Sequence, residues 1–162
     1  MSCITQLLEM KGDKPFLKFS PHAVIEGGGN YKDYEYLITF TNLGHRCGYV
    51  ALKQKDVEKL EKDRDDPDYY YPDLDCHGGI TFYSSDHDAK DLLPISCSDH
   101  WVGFDCGHYK DKDDKELTIK YFGKSLRNQD HFDFQNNFPE ITIKSYEFVE
   151  EQCKLIINQL TN

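Results

Sequence analysis

"YEYLITFTNLGHRCGYVAL", residues 34–52, decides how this chain folds. Its first seven residues, Tyr34 to Phe40, are β-branched, aromatic or otherwise apolar apart from Glu35, the composition of a strand. Asn42-Leu43-Gly44 is a turn, and His45 to Leu52 returns as a second strand, so the stretch predicts an antiparallel hairpin. Gly48 inside the returning strand implies a bulge or a close backbone approach.

Working outward, Ile4, Leu7 and Leu8 stand at helical spacing near the start. "FLKF" and "HAVIEGGGN" follow, and the glycines Gly27, Gly28 and Gly29 with Asn30 read as a turn. A short helix is expected over 54–62, with Val57 and Leu60 on one side. Between Asp56 and Asp75, nine acidic residues face three basic ones and two prolines interrupt, the pattern of a solvated loop. "GITFYS" (79–84) and "HWVGFDC" (100–106) read as strands, joined by 85–99. "DKDDKE" (111–116) reads as a surface loop, "ELTIKYFG" (116–123) as another strand, and 128–138 as irregular. At the end, Ser145 is an N-cap, followed by Val149, Cys153, Ile156, Ile157 and Leu160 at helical spacing. Strands outnumber helices in this reading. The expected fold is α+β, a single domain over 1–162, with a mostly antiparallel sheet covered by the C-terminal amphipathic helix.

Composition narrows the functional classes. The chain carries 29 acidic and 19 basic residues, a formal charge of −10, with no basic cluster, so nucleic acid is not an expected partner. A small anionic ligand held by a few local donors remains compatible with that charge. No apolar run has the length of a membrane span, and the first residues lack a leader pattern, so no membrane partner and a cytoplasmic setting are expected. The six cysteines are then expected to be reduced, with Cys3, Cys47, Cys97 and Cys153 as small buried apolar groups. The glycine run lacks the Lys-Ser/Thr of a phosphate loop, and 111–116 lacks the central glycine and final glutamate of a calcium loop.

Chemistry concentrates in "DCHGGITFYSS" (75–85) and "WVGFDCGHYKD" (101–111). His77 precedes two glycines that let another group approach the backbone and leave amide N–H groups free. In an extended strand Trp101, Gly103 and Asp105 share one face, and Val102, Phe104 and Cys106 the other. Asp105 and His108, three apart across the strand end, suit a carboxylate orienting an imidazole. The plain alternatives are a structural histidine in a tight turn and an aspartate capping its own turn.

If the two strands are neighbours, His77, Asp105, His108 and Asp111 meet at one sheet end. Three uses follow. The four are ligands for a divalent transition metal such as Zn, Fe, Mn or Ni. His77, Asp105 and His108 are the acid–base groups. Or the group only holds a ligand, with Gly78, Gly79 and Thr81 lining it and Trp101 or Tyr83 stacking on its ring. Cysteine catalysis at Cys47 or Cys106 needs a pKa-lowering neighbour that sequence does not display.

"GHRCGYVAL", "HGGITF" and "WVGFDCGHYKD", in that order, resemble a family of small phage and bacterial proteins. The resemblance spans residues 34–111 and rests on Gly48, Tyr49 and Val50, then His77, Gly78, Gly79 and Thr81, then Trp101, Gly103, Phe104, Asp105 and His108. Lys110-Asp111 stands where the family pattern closes with Gly-Asp. It implies a phage or prophage setting and points to the His/Asp/His set. Two functions are therefore expected alternatives: binding of a small, nucleotide-like ligand, or metal-assisted hydrolysis of a phosphoester or amide by the same residues. Sequence leaves the oligomeric state open.

Overall fold

A computed structural model describes residues 1–63, 71–84 and 93–162. The acidic stretch 64–70 and residues 85–92 of the connection 85–99 lie outside the described residues. The chain order is α1 (Cys3–Lys11), β1 (Leu17–Lys18), β2 (Ala23–Tyr31), β3 (Tyr34–Thr41), β4 (Arg46–Ala51), α2 (Gln54–Lys62), β5 (Phe82–Ser84), β6 (Trp101–Asp105), α3 (Lys115–Phe122), α4 (Gln129–Asn136) and α5 (Tyr146–Thr161). The strands form one antiparallel sheet in the order β1-β2-β3-β4-β6-β5. The fold is α+β, as the hairpin and terminal helix predict.

The β3–β4 hairpin pairs Phe40 with Arg46 and Tyr36 with Val50. Alternation then separates two cores. Tyr34, Tyr36, Ile38, Val50, Val102, Phe104 and Cys106 face α5, where Val149, Cys153, Ile156 and Ile157 meet them. Leu37, Cys47, Tyr49 and Trp101 face the other way, against Ile4 of α1 and Leu93. Gly48 sits between these layers because a Cβ there would lie 2.6 Å from the Phe104 ring and 2.8 Å from Cys153 Sγ. Of the two expectations for this glycine, close approach is the one realised.

Several sequence expectations are corrected. The glycine run is not a turn but part of β2, paired with Tyr36 to Ile38 of β3. Gly27 has no room for a Cβ, which would lie 2.4 Å from the Tyr146 hydroxyl at the start of α5. The turn falls instead at Lys32-Asp33, both with positive φ, 50° and 67°, as a two-residue hairpin requires. "ELTIKYFG" is helix α3, because Asp114 caps it by accepting the Leu117 N–H and Gly123 closes it in the left-handed region at φ 81°. Residues 128–138 hold α4, capped by Asn128. With five α-helices among the described residues, strands do not far outnumber helices. "DKDDKE" is no plain surface loop: Asp111 and Asp113 are buried, and Asp111 bridges Thr142. Cys47 and Cys153 are buried thiols as expected, but Cys3 and Cys97 are joined in a disulfide that ties α1 to the turn before β6.

Gly48→Ala is expected to lower unfolding free energy by about 1–3 kcal/mol through overpacking, read as a lower urea midpoint at unchanged slope. Cys3 and Cys97 close a loop of 94 residues. Reduction with dithiothreitol, or Cys97→Ser, should therefore destabilise the chain by about 2–4 kcal/mol, and an unchanged melting temperature would contradict that.

Candidate functional site

The site grows from the end of β6, where the antiparallel ladder runs out. Cys106 donates its N–H to Arg46 C=O (2.9 Å), the last rung against β4. Asp105 Oδ1 accepts the Gly107 N–H (2.9 Å), so this carboxylate does cap its own turn. The chain then turns so that Asp111 N–H reaches His108 C=O, while Lys112 donates its N–H to Thr142 C=O and Thr142 donates its own to Lys110 C=O, drawing residues 110–112 and Thr142 together.

Asp111 is the centre of the arrangement. Its side chain is 1% exposed. His77 Nε2 lies 2.8 and 2.9 Å from its two oxygens, the His108 N–H reaches Oδ2 at 3.0 Å, and Lys144 Nζ is 3.2 Å from Oδ1. Burial works to raise the Asp111 pKa, but the His77, His108 and Lys144 hydrogen bonds together outweigh it and hold the carboxyl below its usual range. An ionised carboxylate only accepts, so Nε2 of His77 carries the proton and Nδ1 is left without a partner among the described residues.

Helix α5 fixes His77. Gln152 Oε1 accepts the His77 N–H (2.8 Å), and Gln159 both accepts the Asp75 N–H and donates to Asp75 C=O, each at 2.8 Å. Phe148 meets the His77 ring edge to face, 5.2 Å between centroids. Gly78 and Gly79 follow with φ of 71° and 79°, values a glycine adopts readily. A Cβ on Gly78 would lie 2.2 Å from His108 Nε2, so the bare backbone closes over that ring.

Among the described residues, the side chains with ligand atoms all within 4.8 Å of one another are His77, Cys106 and Asp111. This changes the expected metal set of His77, Asp105, His108 and Asp111. Cys106 joins, while Asp105 leaves because the pleat turns it to the opposite face from Cys106. His108 stands beside the set, its ring 5.9 Å from that of His77 and its Nε2 3.6 Å from Asp105 Oδ1. Burial first, then Asp111, pushes the Cys106 thiol well up, which does not suit a free thiolate nucleophile.

The expected ligand-lining residues divide. Gly78 and Gly79 border a cleft of about 590 Å³. Thr81 donates its N–H to Gly103 C=O and serves sheet pairing. Trp101 cannot stack on a ligand: it is fully buried at the other end of β6, and its indole N–H is donated to Ile95 C=O (3.0 Å).

On the Asp105 side lie groups that sequence reading did not assign. The positions of His45 and Asp105 both crowd the space a Gly107 Cβ would occupy. His131 Nε2 bonds Asp113, whose Oδ2 is 3.7 Å from Arg127 Nε. His45 Nδ1 and His108 Nε2 are buried without a hydrogen-bond partner among the described residues. The signal for His45 is its place opposite the Asp105–Gly107 turn, visible only once β4 and β6 are known to pair. No family model, curated protein or solved structure matches the chain. No helix among the described residues is long and apolar enough to cross a membrane.

Burial lowers the His45 pKa from 6.5; Asp105, Asp113 and Asp111 oppose the shift and Arg127 adds to it. A ring that resists protonation only when folded stabilises fully above the unfolded value, and that stability is lost as pH falls below it. His45→Gln should accordingly flatten the fall in urea midpoint between about pH 7 and pH 5. An identical slope in both proteins would remove His45 as its source.

Proposed function

We propose that this protein is a small metal-assisted hydrolase whose divalent transition ion is held by His77, Cys106 and Asp111. The observation that carries the reading is the convergence of one nitrogen, one sulfur and one oxygen ligand atom within 4.8 Å at the sheet end. Ligand atoms around a tetrahedral zinc lie roughly 3.2–3.8 Å apart, so only small side-chain rotations are needed. Three protein ligands and an open position are the pattern of a reactive rather than a structural zinc site. The mixed donors suit zinc, cobalt or iron over calcium and magnesium.

The surroundings accommodate such an ion. To hold the ion, His77 would give up its Nε2 proton, which would make occupancy pH-dependent. Lys144 can leave Asp111 without being stranded, because its ammonium also reaches Lys110 C=O, Thr142 C=O and Thr142 Oγ1 at 3.1, 3.1 and 2.8 Å. The ion would supply Lewis acidity and a water of lowered pKa. His108, with an unpartnered Nε2 beside Asp105, is the group that carries a proton to or from the reacting atoms, and Asp105 stabilises the imidazolium that results.

A second reading, a small-ligand-binding protein without turnover, is favoured by the cleft beside Gly78 and Gly79. Elemental mass spectrometry of zinc-loaded, dialysed protein separates the two. The hydrolase reading expects about one tightly held ion per chain, lost in His77→Ala and in Cys106→Ser. Cobalt substitution should give a thiolate-to-cobalt absorption band that Cys106→Ser abolishes. Folded wild-type protein that retains no ion would leave ligand binding as the function.

A further inference from the structure

We infer that the substrate of this centre is a neutral or cationic amide or ester carrying an apolar group, not a phosphoester, and that the apolar group lies in the cleft beyond the Gly78–Gly79 turn. The inference rests on the hydrolase reading and names its substrate class.

Continuity comes first. The cleft, about 590 Å³, is bordered by Gly78 and Gly79, the two residues after His77, so a molecule seated in it touches the backbone that carries this candidate ligand. A Cβ on Gly79 would meet nothing within 4 Å among the described residues. The volume suits a small organic ligand of amino-acid to dipeptide size.

Chemistry comes second. The walls include Leu60, Leu74, Ile80 and Leu160, which call for an apolar group. Among the described residues the charged lining is Lys59 against Asp56, Asp63 and Asp73, an excess of carboxylates. Asp56 accepts hydrogen bonds from the Tyr34 hydroxyl and the Lys53 N–H, while Asp63 and Asp73 are exposed at the rim. A phosphomonoester would bring nearly two negative charges into that field. At the sheet end Arg127 lies against Asp113, Arg46 is committed to Glu26, and Lys144 is held by Lys110 C=O, Thr142 C=O and Thr142 Oγ1 even when it leaves Asp111, so none is a free phosphate clamp. A protonated amine, by contrast, gains from Asp63 and Asp73.

The reaction is then ordinary hydrolysis. Water oxygen bonds to the carbonyl carbon, the C–N or C–O bond breaks, and the leaving nitrogen or oxygen takes the proton. One water is consumed, and a carboxylate and an amine or alcohol are released.

The test uses zinc-loaded full-length protein with leucine and phenylalanine p-nitroanilides and p-nitrophenyl esters, set against p-nitrophenyl phosphate and bis(p-nitrophenyl) phosphate. Expected is a kcat/KM for the amino-acid substrates at least about tenfold above either phosphoester. Asp63→Lys with Asp73→Lys should raise KM for the cationic substrates, leaving kcat and zinc content unchanged. Zinc-bound protein that prefers phosphoesters overturns this inference and leaves the hydrolase reading standing. The same holds if amide turnover ignores the charge reversal. Zinc-bound protein that turns over neither class overturns both, and failure to hold zinc overturns the hydrolase reading at its base.

Discussion

Close contact between α5 and the sheet is the constraint on which the rest of this structure depends. Two glycines make it possible. Gly27 leaves room for the Tyr146 hydroxyl, and Gly48 leaves room for Phe104 and Cys153 in the same layer. With a Cβ at either position the helix would stand off, and the apolar row Val149, Cys153, Ile156 and Ile157 would lose its closest contacts. The polar edge of that helix then acts on the chain beside it. Gln152 and Gln159 hold the backbone of 75–77 at three hydrogen bonds, and this places His77 over the end of β6. The helix is thus both the lid of the core and the mould of the site.

Electrostatics at the sheet end follow from burying Asp111. A carboxylate removed from water must be met by donors, and His77, Lys144 and the His108 amide supply them. That demand organises residues far apart in sequence. Arg46, paired with the buried Glu26 at 2.6 Å, donates to Lys144 C=O and so steadies the segment from which Lys144 reaches Asp111. Tyr121 adds a third donor to Glu26 from α3. The candidate metal centre is therefore held by a continuous polar network rather than by loop residues alone.

The two halves of the sheet end differ in character. On the α5 side, His77, Cys106 and Asp111 form a compact set that suits one ion. On the opposite side, His45, Asp105, Asp113, His131 and Arg127 lie among one another's charges, with His45 neutral by burial. His108 stands at the boundary, its backbone fixed to Asp111 and its ring beside Asp105. A proton carrier at that position can serve a reaction on the first side and be steadied from the second.

The sequence alone determined the elements whose signals are local. β-Branched and aromatic composition marked β3, the Asn42–Gly44 turn marked β4 as its return strand, and apolar spacing behind the Ser145 cap marked α5. The strand pattern of 101–106 correctly set Asp105 and Cys106 on opposite faces. The motifs around His77 and His108 were legible because chemistry-bearing residues cluster beside glycines there. Tertiary structure decided the rest. Caps at Asp114 and Gly123 outweighed β-favouring side chains in α3, and the Asn128 cap starts helix α4 where irregular chain was expected. Close approach of a helix, invisible locally, turned Gly27–Gly29 from an expected turn into strand. Strand pairing brought His45 to Asp105, and bridging of 111 to 142 brought Lys144 to Asp111. Cys106 rather than Asp105 lies with His77 and Asp111 because Cys106 is on the sheet face that α5 covers, and α5, some seventy residues further along the chain, holds the backbone of His77 there.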